Sequence, residues 1–291
     1  MSAYRFCRTD DIGLLVDALN RCWAPYYPDE PPVTPAAFKR SIRDLQVWCS
    51  SCMVAFAGSD PIGVLIGAKR PSSTLVHKIA VHPEHRRQGH GRHLLTSLGS
   101  KLAILGPPRI VAEVPETLVP ARELFAASGY VQEAVLTDYV LEMPALSEHG
   151  SGEAGLMRVE GFVIPVTIDD LAANDLLGES PHVCWERSVE TLTARKDDIS
   201  GLAVASDERI EAYVLYVKRD MEETEIVSIR SFIEDDGTRL KQLLSQLRGR
   251  GMETFRFPKV HPAEISMEWI ETLGFHPVGV HRLYAATAKS A

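Results

Sequence analysis

The sequence predicts an α+β (α/β) protein made of two similar halves in tandem, each of strands flanked by helices. Three observations carry this. Apolar periodicity alternates between strand and helix: Met53-Val-Ala-Phe-Ala-Gly-Ser-Asp-Pro-Ile-Gly-Val-Leu-Ile reads as strand, polar turn and strand, whereas Leu94, Leu95, Leu98 and Leu102 recur at helical spacing. The same hairpin pattern returns as Gly201-Leu-Ala-Val-Ala-Ser-Asp-Glu-Arg-Ile-Glu-Ala-Tyr-Val-Leu, and each copy is followed by a further strand and a helix. Both halves also close alike, with Glu123-Leu-Phe-Ala-Ala-Ser-Gly129-Tyr130 matching Glu268-Trp-Ile-Glu-Thr-Leu-Gly274-Phe275. In each, a glycine ends a helix, an aromatic follows, and an apolar strand comes next.

In order, the first half reads as a strand from Tyr4 to Arg8, helices between Asp10 and Trp48, a hairpin from Met53 to Lys69 and a strand from Leu75 to Val81. A helix from Gly91 to Leu105, a strand from Arg109 to Val114, a helix from Pro120 to Ser128 and a strand from Val131 to Glu142 complete it. The tract from Tyr26 to Pro35 is rich in proline and cannot be helical throughout, because proline lacks the amide donor and restricts the residue before it. From Pro144 to Gly155, Gly, Ser and charge interrupt the apolar pattern and read as a linker. The expected domains are therefore 1–145 and 158–291, joined by 146–157.

A chain of 291 residues is long for one core and comfortable for two domains. Charge is unevenly shared. Through Ala145 there are 15 basic and 14 acidic residues, against 16 and 25 beyond it. That acidity argues against nucleic acid as a partner, which needs a net basic surface. No apolar run approaches the ~18 residues of a membrane span, and Met1 to Asp11 lacks the apolar core of a signal peptide. A cytoplasmic protein without membrane partners is expected. Five cysteines, an odd number in a chain this long, suggest no disulfide framework, and Cys49 and Cys52 read as buried thiols.

The most informative stretch runs from Leu75 to Leu95. An extended, β-branched segment ending in Ile79-Ala80-Val81 enters a basic turn, Arg86-Arg87-Gln88-Gly89-His90-Gly91-Arg92, and then a helix. Glycines let the backbone turn sharply, free amides of a first helical turn point outward, and arginines add full charges beside them. Together these form a phosphate cradle.

The spacing Arg86-x-x-Gly89-x-Gly91 after a β strand resembles the coenzyme A pyrophosphate loop of the GNAT superfamily of N-acetyltransferases. The resemblance implies two tandem domains of this kind, each a mixed, largely antiparallel sheet, and in the first the central strands ending near Val81 and Val114 splay apart to admit pantetheine. It assigns pantetheine and the thioester carbonyl to the main chain of Ile79, Ala80 and Val81, and the pyrophosphate to the amides from Arg87 to Arg92, with acetyl-coenzyme A as co-substrate. The Tyr26 to Pro35 tract would lie over the acceptor. Glu113 matches the glutamate base of ribosomal-protein alanine acetyltransferases, and His77 one of two histidines of arylalkylamine acetyltransferases; both are candidate bases. The family tyrosine that protonates the departing thiolate falls at Phe125, within the coenzyme-binding set but unable to donate a proton.

His82, His85, His90 and His93 invite a metal reading, but no cysteine or carboxylate is expected to complete a tetrahedral set nearby and the arginines repel a cation, so no metal is expected. In the second half the cradle is changed. Fifteen positions separate Ile79 from Leu94 but eleven separate Ile229 from Leu240, and the intervening Glu234-Asp235-Asp236 repels a pyrophosphate. This half reads as a degenerate copy without coenzyme. The expectation is an acetyltransferase acting on a primary amine of a small molecule or peptide. The alternative is a non-catalytic acyl-coenzyme A sensor. A monomer is favoured over a dimer, because two fused halves supply the contact that single-domain relatives obtain by pairing.

Overall fold

The computed structural model describes residues 2–143, 161–178, 182–219 and 223–289. The expected linker at 146–157 lies outside the described residues. Contacts divide the chain into two compact units, residues 1–134 with 282–291, and residues 135–281.

In the first unit, β1 (Ser2–Phe6), β2 (Met53–Ala57), β3 (Asp60–Lys69) and β4 (Ser73–Val81) are successive antiparallel neighbours. β5 (Arg109–Pro115) then lies parallel to β4. The helices are α1 (Ile12–Cys22), α2 (Pro35–Leu45), α3 (His90–Leu105) and α4 (Val119–Ala127). β1 stops at Phe6, short of the expected Arg8, because the Arg8 amide donates to Asp11 Oδ2 at 2.7 Å and turns the chain toward α1. α2 begins where Thr34 Oγ1 accepts from the Ala37 amide at 3.1 Å and Pro35 takes the first helical position. Between them, only Ala24–Tyr26 forms a single 3₁₀ turn, as the proline content requires. Leu94, Leu95, Leu98 and Leu102 of α3 are buried with Met53, Ala55, Ile110 and Ala112 of the sheet. Truncating Leu98, which is fully buried, costs about 2–5 kcal/mol.

Two details of this sheet matter for the site. β4 and β5 pair only from Ser73 to Leu75 with Arg109 to Val111, although β4 continues to Val81 and β5 to Pro115. The register between β3 and β4 also slips between Ile66↔Lys78 and Gly67↔Val76, which makes His77 the extra residue of a bulge. The sequence pattern showed neither.

The second unit repeats the order of elements. β7 (Phe162–Val166), α5 (Ile168–Ala173) and α6 (Val189–Ala194) precede the antiparallel β8 (Ser200–Ala205), β9 (Ile210–Lys218) and β10 (Glu223–Ser231). Then come α7 (Thr238–Arg248), β11 (Thr254–Val260) and α8 (Met267–Thr272). β10 and β11 are parallel and pair only from Glu223 to Glu225 with Thr254 to Arg256, so this half repeats the short parallel contact too.

The compact units differ from the expected division at 145 and 158 in their closing strands. From Val135 onward, β6 (Val131–Glu142) belongs to the second unit, where it pairs antiparallel with β11 and Asp138 Oδ1 accepts from the Lys259 amide at 2.8 Å. β12 (His276–Thr287) enters the first unit from Arg282. There Arg282 Nε donates to Glu116 Oε1 at 3.1 Å, Tyr284 stacks on Phe125 with centroids 5.9 Å apart, and the Ala288 amide donates to Pro108 O at 2.6 Å. Strand periodicity says which face of a strand is buried, and it leaves open which sheet edge the strand joins.

None of the five cysteines is in a disulfide, and all are buried. Burial raises the Cys52 thiol far above its ordinary pKa while its Sγ donates to Trp48 O at 3.3 Å. Among the described residues, no helix is long and apolar enough to cross a membrane.

Candidate functional site

The chain leaves β4 at Val81, makes one 3₁₀ turn over Pro83–His85, and passes through two left-handed residues, Arg87 at φ +60° and Gly89 at φ +85°. Gly89 is the N-cap of α3, and no side chain caps that end. The first helical bond runs from the His93 amide to Gly89 O at 3.0 Å, so the amides of His90, Gly91 and Arg92 have no partner within the helix. Their dipoles face outward. Arg86, Arg87 and Arg92 are exposed around them; Arg87 lies 3.5 Å from Glu123, a solvent-screened pair of little energetic weight.

A cavity of about 550 Å³ opens over this turn. Of the residues assigned to coenzyme from sequence, Ile79, Ala80, Val81, Arg86, Arg87, Gly89, His90, Gly91 and Arg92 line it. Gln88 and Phe125 do not. Gln88 points back, its Nε2 donating to Glu84 O at 3.4 Å. Phe125 is 2% exposed, packed edge-on against Tyr130 and stacked on Tyr284, so its ring belongs to the core of the unit. Gly91 has a packing reason besides ligand approach: a Cβ there would sit 3.0 Å from the Leu124 side chain of α4.

The wall contributed by the region after α1 is aromatic, with Trp23, Tyr26 and Tyr27 all lining the cavity. Trp23 and Tyr27 stack at 4.7 Å, and Lys78 Nζ lies 4.3 Å from the Trp23 ring. The Tyr26 hydroxyl donates to Val81 O at 2.6 Å while the Arg86 guanidinium sits 5.6 Å from its ring. Leu118, Ala121 and Leu124 of the α4 segment form the facing apolar side. Sequence reasoning set Tyr26 and Tyr27 over the acceptor but did not assign Trp23 or the α4 wall to the site; the clustering of Trp23, Tyr26 and Tyr27 within five positions was the available signal for the first.

The two candidate bases lie on the strands that part company. His77, the bulged residue of β4, and Glu113 of β5 are both half-buried, and neither lines the cavity. At the turn, His82, Glu84 and His85 bring one potential ligand atom each to within 4.8 Å of one another, so Glu84 supplies a carboxylate that the sequence reading did not set beside those histidines. All three come from one short turn, and the group is exposed in part.

The matching turn of the second unit keeps the geometry and changes the charge. Asp236 at φ +50° and Gly237 at φ +73° precede α7. The Asp235 carboxylate accepts from the Gly237 amide at 3.1 Å and the Arg239 amide at 2.9 Å, and Arg239 Nη1 donates to it at 3.2 Å. An internal anion thus takes the amide of Arg239, which stands two residues past its N-cap as Gly91 does in the first unit, together with that of the N-cap Gly237 itself.

No curated protein matches the sequence. Among solved structures, a tandem GNAT protein from the clavulanic acid biosynthesis pathway is similar over 100% of both chains, with a TM-score of 0.63 and 17% identity. A GCN5-related N-acetyltransferase from Sphaerobacter thermophilus is similar over 99% of this chain and 96% of that one, with a TM-score of 0.65 and 14% identity. Another from Kribbella flavida is similar over 99% and 71%, with a TM-score of 0.64 and 12% identity. At these identities the likeness is one of fold. The sequence pattern of the Acetyltransferase (GNAT) family matches residues 14–130. The parted strands, the glycine turn and the open helix N-terminus all fall inside that span.

Proposed function

We propose that the protein transfers an acetyl group from acetyl-coenzyme A to a primary amine of a small molecule or peptide, and that only its first unit is loaded with coenzyme. The outward amides of His90, Gly91 and Arg92, within a 550 Å³ cavity flanked by arginines, carry this reading. They suit the pyrophosphate, while the β4 edge beyond Leu75, not paired to β5, suits the amide groups of pantetheine. Bound there, the thioester supplies an activated acetyl carbon for attack by an amine.

The protein's part is to hold the two reactants together, which is worth several kcal/mol, and to stabilise the developing oxyanion through main-chain amides near Ile79. An ammonium must lose a proton before attack. His77 and Glu113 are the proposed groups for that step; imidazole as a side-chain type, with an intrinsic pKa of about 6.5, suits proton abstraction at neutral pH. Phe125 has no proton to give, so the thiolate leaves without help from that position; a thiol pKa of about 8.5 makes this feasible. The second unit is proposed to hold no coenzyme, a reading supported by Asp235 on its own helix amides.

A sensor of acyl-coenzyme A is the second reading, favoured by Phe125 alone. Calorimetry with acetyl-coenzyme A tests the cradle, and release of free thiol over a panel of amines tests transfer. Tight binding with no thiol released on any amine leaves the sensor and removes the enzyme. If transfer is observed, His77→Ala and Glu113→Gln assign the base: the group responsible loses about 10²–10⁴ in kcat/KM and takes the acid limb of the pH profile with it.

A further inference from the structure

We propose that His90 is a proton-linked part of the anion cradle: its imidazole takes up a proton when the coenzyme's phosphates settle on the amides of residues 90–92, so binding strengthens as pH falls. The inference rests on the coenzyme reading of this loop.

His90 is the first residue of the 16-residue helix α3, lines the cavity, and is 6% exposed. Its Nδ1 lies 2.6 Å from the Tyr4 hydroxyl of β1. Its Nε2 is shielded from solvent and has no hydrogen-bond partner. A buried imidazole nitrogen without a partner is unfavourable and calls for a reason, and this one sits beneath a helix terminus built to face an anion. The neighbouring ionisable groups are His93 of α3, whose ring lies 3.8 Å from Tyr4, and His85 of the 3₁₀ turn, whose ring centroid is 6.4 Å from that of His90. His82 lies beyond His85, with ring centroids 6.0 Å apart, and Arg86, Arg87 and Arg92 stand exposed outside.

Glu123 of α4 also lines the cavity, where it pairs with Arg87, and Glu84 lies in the turn beside His85, whereas His85 and His93 oppose a positive imidazole in the free protein. Burial first, then His85 and His93, hold His90 below the ordinary histidine pKa. Phosphates on the adjacent amides reverse that field, and the buried position leaves the interaction little screened. Tyr4 fits both states, since its hydroxyl donates to a bare Nδ1 or accepts from a protonated one. The sign follows: a pKa depressed in the free protein and raised in the complex means proton uptake on binding, and affinity that rises from pH 8 toward pH 6. The coenzyme's 3′-phosphate contributes oppositely, because its second proton, with a pKa of about 6, is driven off by nearby cations. Comparison with variants separates the two.

The test is titration calorimetry of coenzyme A into the full chain at pH 7 in buffers of different ionisation enthalpy, for the wild type, His90→Gln and His90→Phe. The wild type should take up roughly 0.3–0.5 proton per chain more than either variant, and should gain about threefold more affinity than they do between pH 8 and pH 6. Equal proton counts in wild type and variants overturn the inference while leaving the coenzyme site standing. Absence of binding to the wild type overturns the coenzyme reading and the inference together. Should the variants fail to fold, the imidazole of His90 is titrated by NMR in the wild type, free and saturated with coenzyme A. An upward shift on saturation supports the proposal, and an unchanged midpoint overturns it.

Discussion

The turn from Arg86 to Arg92 and the turn from Glu234 to Arg239 share a fold and face opposite charges. Each leaves a strand whose parallel partner has already stopped pairing, each passes through adjacent or near-adjacent left-handed residues, and each opens an amphipathic helix. In the first, the helix amides are left outward among arginines. In the second, Asp235 has drawn the Gly237 and Arg239 amides onto its own carboxylate, and Arg239 completes the charge balance through Asp235 and Glu211. A similar turn thus leaves its helix amides open in one unit and satisfied by an internal carboxylate in the other, according to whether the sequence provides its own anion. On the proposed reading, strand pairing and helix packing keep the fold while the ligand is lost.

The most severe way to break this contrast is Gly89→Glu, which puts a carboxylate into the first turn and a side chain where φ is +85°. Calorimetry should show a loss of at least about 100-fold in coenzyme affinity, through like-charge repulsion and backbone strain together. Arg86→Ala removes one full charge and leaves the amides; about a tenfold loss, with a shallower dependence on salt, is the expected result. Gly91→Ala sets a methyl 3.0 Å from Leu124 and should displace α4 slightly, lowering affinity about two- to fivefold. Asp235→Ala sharpens the comparison from the other side. Thermal or denaturant unfolding should show a loss of about 0.5–2 kcal/mol from the uncapped helix, while coenzyme affinity of the chain stays as it was.

The sequence disclosed the repeat, the element order and the basic glycine turn, because periodicity, glycine spacing and charge are local properties. Of the residues assigned there from Ile79 to Arg92, all but Gln88 line the cavity, and the Gln88 side chain folds back on Glu84. What stayed hidden depended on tertiary partners. Phe125 occupies a motif position, yet its ring is committed to Tyr130 and Tyr284, and Tyr284 is supplied by a strand more than 150 positions away. β6 and β12 have the pattern of ordinary closing strands, and only the pairing of β6 with β11 and the bond from Ala288 to Pro108 reveal which unit each completes. The bulge at His77 is equally hidden, since it is defined by the register of β4 against β3 and not by the residues of β4 alone.

The central claim is one loaded cradle per chain, and the stoichiometry of acetyl-coenzyme A binding tests it most directly. Titration of the full chain should give a single site that Gly89→Glu abolishes and Asp235→Ala leaves untouched. Two sites per chain, or a site that survives Gly89→Glu and disappears with changes around Asp235, would contradict it.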